Sequence, residues 1–146
     1  MIDKIVVYSD GGSRGNPGPA AVGAVVSYPC GDKFELSRYI GEATNNIAEY
    51  MAVYEALKEI AKRFSEKELR RKQIVCYLDS ELIVKQMKGE YRIKNADLLK
   101  IYLKIQDLIS LADKVKFIHI RREKNKEADK LVNLALDRAI NLKSKN

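Results

Sequence analysis

The sequence predicts a mixed α/β domain, a five-stranded sheet with helices on both faces, and three observations predict it. Three β-rich segments follow one another through short connections before residue 41, so they pair as an antiparallel meander. Four later segments repeat apolar residues at helical spacing. Two short apolar runs lie between those helical segments, so each is entered through a crossover and is expected to run parallel to the first strand.

Taken in order, Ile5 to Tyr8 are β-formers and read as a buried strand. It leads into Asp10 and then into a loop with glycines at 11, 12, 15 and 18 and prolines at 17 and 19. Ala20 to Tyr28 reads as the second strand, Pro29 to Asp32 as a turn, and Lys33 to Ile40 as the third strand, with Gly41 expected to end it. Thr44, Asn45 and Asn46 offer helix caps. From there Ile47, Met51, Tyr54, Leu57, Ala61 and Phe64 form one apolar stripe, predicting a long helix that continues toward Leu69. Ile74 to Leu78 is the next strand, closed by Asp79. Ser80 to Met87 is a short helix stopped by Gly89. Ala96 to Leu111 is a longer one, with Leu98, Leu99, Tyr102, Ile105 and Ile109 inward. Val115 to Ile120 is the fifth strand. A last helix runs from Asn125 to about Leu142, burying Ala128, Leu131, Val132, Ala135 and Ala139.

Residues 1–146 are expected to form a single domain, long enough to bury a core without staples. No apolar run reaches membrane-spanning length, and Met1-Ile-Asp-Lys4 is not a signal peptide. Cys30 and Cys76 lack CxxC spacing, so neither a zinc site nor a disulfide framework is indicated, and a cytoplasmic setting is expected. The net charge of +7 suits a polyanionic partner. The glycines do not follow the spacing of nucleotide-cradling loops.

Four acids sit where elements meet. Asp10 and Asp79 each close an apolar strand, and adjacent parallel strands would set them side by side. Glu49 is expected in the first turn of the long helix, where Asn46-x-x-Glu49 has capping-box spacing, and Asp129 in the first turn of the last helix. Each has an innocent reading alone, as a turn residue, a cap or a complement to a helix dipole. Together they read differently, because clustered carboxylates repel unless a cation neutralises them. Hard oxygen donors without histidine or thiolate favour Mg²⁺ or Mn²⁺, and two such ions would suit phosphodiester displacement. With a basic surface, this chemistry points toward a nuclease.

Four segments then carry a specific resemblance: Tyr8-Ser-Asp10-Gly-Gly-Ser-Arg-Gly-Asn-Pro-Gly-Pro19, Thr44-Asn-Asn-Ile-Ala-Glu49-Tyr50, Leu78-Asp79-Ser80, and Glu123-Lys-Asn-Lys-Glu-Ala-Asp129. In this order they are similar to the signature segments of type 1 ribonuclease H, from Ile5 to about Ala139. The resemblance implies a ribonuclease H-like sheet ordered 3-2-1-4-5 with strand 2 antiparallel. It also implies two-metal hydrolysis of the RNA strand of an RNA–DNA hybrid, leaving 5′-phosphate and 3′-hydroxyl ends. On this basis Asp10 matches the acid that bridges both Mg²⁺ (or Mn²⁺) ions. Glu49 and Asp79 match ligands on the leaving-group side, and Asp129 a ligand on the water side. Gly12 and Ser13 match backbone donors in the minor groove, where the 2′-hydroxyl tells RNA from DNA. Asn16 and Asn45 match minor-groove amides, and Thr44 and Asn46 a pocket for a DNA phosphate. A monomer is expected, with no membrane partner.

Three departures qualify the match. Glu81 stands where the family commonly has glutamine, placing a charge among the substrate contacts. Gly89 to Asp97 is too short for the basic helical protrusion of some members, so a compact form is expected. Many members place a histidine in a flexible loop before the last acid; His119 falls inside an apolar strand, and by resemblance to short-loop relatives of the family Arg122 is the expected catalytic stand-in beside Asp129. Two readings compete with hydrolysis of hybrids: a non-catalytic hybrid-binding module, and another nuclease of the superfamily such as a junction resolvase. The full set of acids argues against the first, and the Thr44-Asn-Asn segment with the glycine loop argues against the second.

Overall fold

A computed structural model describes residues 3–144. Five strands, β1 (Asp3–Ser13), β2 (Gly18–Ser27), β3 (Lys33–Ala43), β4 (Lys72–Leu78) and β5 (Lys114–His119), form one sheet ordered β3-β2-β1-β4-β5. β2 is antiparallel to β1 and β3, while β4 runs parallel to β1 and β5 parallel to β4. The helices are α1 (Asn45–Arg63), α2 (Glu66–Leu69), α3 (Glu81–Met87), α4 (Ala96–Ile109) and α5 (Lys126–Ser144), with a 3-10 turn at Arg122–Lys124.

Alternation along the strands divides the core in two. Ile5, Val7, Val22, Ala24, Val26, Ile74 and Cys76 pack with α1 residues such as Tyr50, Val53, Ala56 and Ile60, and α3 and α4 join this larger core. On the opposite face Ala21 meets Val132, Ala135 and Leu136 of α5. Residues 88–95 between α3 and α4 contain no helix, so the basic protrusion is absent, as its length predicted. No described helix is long and apolar enough to cross a membrane.

The structure corrects the sequence reading at several places, and Leu99 of α4, expected inward, is exposed because the buried stripe runs through Leu98 and Ile105. Asp10 lies within β1 and not at its end: Asp10, Gly11, Gly12 and Ser13 pair with Gly23, Val22, Ala21 and Ala20. Gly11, which reads as loop, is strand, and a helix approaches it closely, as another approaches Gly23 in β2. A Cβ on Gly11 would stand 2.2 Å from the Ala48 carbonyl of α1, and one on Gly23 would stand 2.3 Å from the Ala128 oxygen of α5. β3 continues through Gly41, whose φ of +85° lies beside an irregularity in the β2–β3 register and lets the strand absorb it. The long helix breaks at Phe64, which is extended. Ser65 restarts the chain as α2 with a capping box to Glu68. Finally, the α1 cap is Thr44, whose Oγ1 accepts from the Ile47 amide at 3.2 Å. Glu49 therefore falls in the second turn, not the first, and plays no part in capping.

Candidate active site

β1 and β4 are adjacent and parallel, and their last paired residues are Tyr8 and Tyr77. Two residues further along each chain stand Asp10 and Asp79. The missing side chain of Gly11 lets α1 press on β1, which brings Glu49 to this end of the sheet. The missing side chain of Gly23, opposite Asp10, does the same for α5 and Asp129. All four acids and Arg122 line one cleft of about 300 Å³, together with Gly12, Ser13 and Asn45.

The electrostatics follow from that crowding. Burial, and then the charges of Asp79, Glu49 and Asp129, push the Asp10 carboxyl up to about 8, only partly offset by the Gly11 amide at 3.0 Å. Glu49 rises to about 7 through burial and Asp79, while the Ser80 hydroxyl and the Arg122 guanidinium oppose the rise. Beneath Glu49, the buried Tyr50 hydroxyl donates to Gln86 at 2.5 Å, tying α1 to α3. That bond steadies the helix whose N-cap is Ser80.

The donor set fits Mg²⁺ or Mn²⁺: carboxylate oxygens with uncompensated negative charge and no nitrogen or sulfur ligand. Among the described residues no three His, Cys, Asp or Glu side chains are gathered tightly enough to hold a metal ion by themselves. An open set of this kind suits a hard ion that keeps waters and is completed by substrate phosphate.

Asn125 was not singled out by the sequence, where an amide at a helix start reads as a cap. It is 1% exposed. Its Nδ2 donates to the Ser9 carbonyl and to Asp79 Oδ2, each at 2.9 Å, clamping the Asp79 carboxylate to the strand that carries Asp10. Its backbone amide donates to the Arg122 carbonyl at 2.9 Å, and its carbonyl accepts from the Asp129 amide at 3.1 Å. One residue thus links three members of the cleft. The only sequence signal was its place in the last motif, four residues before Asp129.

The expected substrate contacts fall into two groups. Ser13 donates to Asn45 Oδ1 from its amide at 2.8 Å and from its hydroxyl at 3.1 Å, and the Asn45 amide donates to Asn16 Oδ1 at 3.2 Å. Both Oδ1 atoms are engaged within the protein, so the two Nδ2 groups are the donors left to face outward. Gly12 lies in the same strand end, and Asn46 is exposed at the start of α1 beside the Thr44 cap. Glu81 stands apart: its carboxylate meets Lys85 at 3.2 Å and it does not line the cleft. His119 ends β5, exposed and outside the cleft lining, whereas Arg122 lines it.

A sheet in this order, with four acids gathered across the ends of its central strands, defines the ribonuclease H-like fold. Residues 8–135 match the family model described as Reverse transcriptase-like. A solved structure of the LC11 ribonuclease H isolated from compost is similar, with TM-score 0.86, 43% identity, and coverage of 96% of this chain and 99% of that one. The same protein in complex with an RNA/DNA hybrid matches with TM-score 0.85 and 44% identity over 93% of this chain and 99% of that one. This chain belongs to the type 1 ribonuclease H family. Bifunctional protein Rv2228c of Mycobacterium tuberculosis is 40% identical over 138 residues, 93% of this chain but 36% of that protein. Ribonuclease HI of Halobacterium salinarum is 41% identical over 93% of this chain and 66% of its own length. The chain thus spans only part of the first curated relatives it matches.

Proposed function

We propose that this chain is an endoribonuclease that cuts the RNA strand of RNA–DNA hybrids by metal-dependent hydrolysis, leaving 5′-phosphate and 3′-hydroxyl ends. The observation that carries this reading is the gathering of Asp10, Glu49, Asp79 and Asp129 in one cleft that Ser13 and Asn45 also line. Asp10, Glu49, Asp79 and Asp129 would hold the Mg²⁺ (or Mn²⁺) ions, two of them with substrate bound. When bound, such ions polarise the scissile phosphate and make water a better nucleophile.

The remaining work falls to the chain's own side chains. Asp10 must be ionised to serve as a ligand, although burial and its neighbours favour its protonated form. Turnover should therefore climb from acid toward alkaline pH. Asn125 fixes the direction of the Asp79 carboxylate. A guanidinium has no lone pair to take a proton, so Arg122 contributes by attracting and orienting the phosphate. The Nδ2 donors of Asn16 and Asn45, with the backbone of Gly12 and Ser13, read the shallow minor groove, in which the 2′-hydroxyl is accessible. Thr44 and Asn46 receive a phosphate of the DNA strand at the start of α1, where the helix dipole favours negative charge. The solved relative's complex with an RNA/DNA hybrid supports this choice of substrate. We read the active unit as a monomer working in the cytoplasm.

A gel assay with end-labelled hybrid, double-stranded RNA and double-stranded DNA, with and without Mg²⁺ or Mn²⁺, tests the proposal. Cleavage confined to the RNA strand of the hybrid and dependent on added metal is expected. Activity on duplex DNA, or undiminished activity in EDTA, would overturn it.

A further inference from the structure

We propose that the sheet face turned away from α1 is a binding surface for single-stranded nucleic acid, distinct from the catalytic cleft. On this face α5 packs on β1, β2 and β3, while α1, α3 and α4 belong to the core on the other side. Alternation and strand register place Val6 and Tyr8 of β1, Tyr77 of β4, and Lys116 and Ile118 of β5 on the part α5 leaves open. Tyr8 and Tyr77 stack there, with ring centroids 4.9 Å apart and planes at 22°. Both rings are half-buried, and Ile118 is 39% exposed.

Lysines surround the ring pair. A cavity of about 440 Å³ opens beside Tyr8 under the start of α5, and Lys33, Lys124 and Lys126 line it. Lys114 and Lys116 flank the far side on β5. Among the described residues, the side chains of Lys114, Lys116 and Lys124 engage in no hydrogen bond or ion pair. By the same alternation Asp10, two residues beyond Tyr8, stands on this face at its cleft end; its other acids are Glu35, Glu123 and Glu127, the last already paired with Lys33 at 3.2 Å.

An aromatic pair flanked by lysines, Lys114, Lys116 and Lys124 among them unpaired, matches the two needs of a single strand, bases to stack and phosphates to neutralise. A duplex keeps its bases inside its own stack and gains nothing from the tyrosines. An acidic peptide would use the lysines and leave the rings idle. The 3-10 turn separates this surface from catalysis, since Arg122 lines the cleft while Lys124 lines the rear cavity. A strand held here would run past the turn toward the cleft.

The test is fluorescence anisotropy with labelled 12-mer oligo(dT), at low salt in EDTA. Expected are saturable binding that weakens with salt, and no displacement by an excess of short unlabelled hybrid. Tyr77→Ala should weaken binding by about tenfold or more, the scale of losing one stacked base, while Tyr77→Phe retains it. If Tyr77→Ala does not fold, Tyr77→Leu keeps the apolar bulk and reads the same loss. Charge reversal at Lys114→Glu with Lys116→Glu should abolish oligo(dT) binding yet leave cleavage of a blunt hybrid within about twofold, because neither lysine lines the cleft. Full displacement by the hybrid would place the strand in the catalytic cleft and overturn the proposal. So would the absence of any binding, or a polyglutamate chain that competes as well as unlabelled oligo(dT).

Discussion

Neutralising Asp10 should stabilise the metal-free protein, and the gain should grow with pH. Asp10→Asn preserves shape and removes the charge that burial and three neighbouring acids oppose. The carboxyl titrates at an ordinary 3.8 when unfolded and at about 8 in the fold. A folded value above the unfolded one means the native state holds its proton longer. Ionisation therefore costs the wild-type protein stability progressively from about pH 4 to about pH 8, and asparagine escapes that cost. A shift of roughly four units corresponds to at most about 6 kcal/mol for an isolated group. The group is partly solvated, and its acidic neighbours can themselves take up protons, so the full figure is discounted. About 2 kcal/mol between pH 5 and pH 8.5 is a working value after that discount. For a chain of this length each kcal/mol moves the Tm by about 4 °C, so the variant should gain about 8 °C over wild type across that range.

Calorimetric or circular-dichroism melts in EDTA, at half-unit steps from pH 4.5 to 9, give the measurement. The Tm difference should open through the acid range and level above about pH 8. Mg²⁺ at millimolar concentration should raise the Tm of wild type more than that of Asp10→Asn, because only the former offers the full charge. A Tm difference constant from pH 5 to pH 8.5 would refute the reasoning, since it would mean that Asp10 ionises freely.

Asn125→Ala removes two buried donor bonds, and because Asn125 Oδ1 has no partner among the described residues, its value rests on those donors. A loss of about 2–3 kcal/mol in urea unfolding and a lower kcat with little change in KM are expected. Gly11→Ala drives a methyl into the Ala48 carbonyl, so it should cost about 3 kcal/mol and displace Glu49, measured by melting and by turnover. Arg122→Ala should lower kcat on a hybrid by about 10–1000-fold, whereas His119→Ala should leave it much less affected; steady-state kinetics on both separates them, and the reverse ranking would sink the assignment of this loop. Glu81→Gln should tighten hybrid binding by removing a negative charge. An affinity unchanged in anisotropy would show that the Lys85 pair already holds the carboxylate away from the substrate.

The sheet and its crossovers were legible because strand alternation and helical period are local signals, while the order of the strands followed from the resemblance. The acids were legible as a set because each reads in the sequence as standing at an element boundary, although Asp10 lies inside a strand and Glu49 one turn deeper than its capping spacing suggested. The approach of helix to sheet was hidden, because it depends on residues far apart in the chain. Gly11 looks like a loop glycine and Gly23 like an ordinary strand residue until α1 and α5 are seen against them. Asn125 was hidden for the same reason: its partners, Ser9 and Asp79, lie 116 and 46 residues away. This asymmetry has a physical cause. The side chains that would meet metal and substrate gather from different elements, and charge or motif reveals them. The groups that hold them in place act through tertiary contact alone. A glycine chosen for what it lacks, or an amide chosen for where its two protons point, has no local pattern to announce it. The substitutions that most sharply test the cleft are therefore Gly11→Ala and Asn125→Ala, which leave every acid in the sequence and change only how the acids are held.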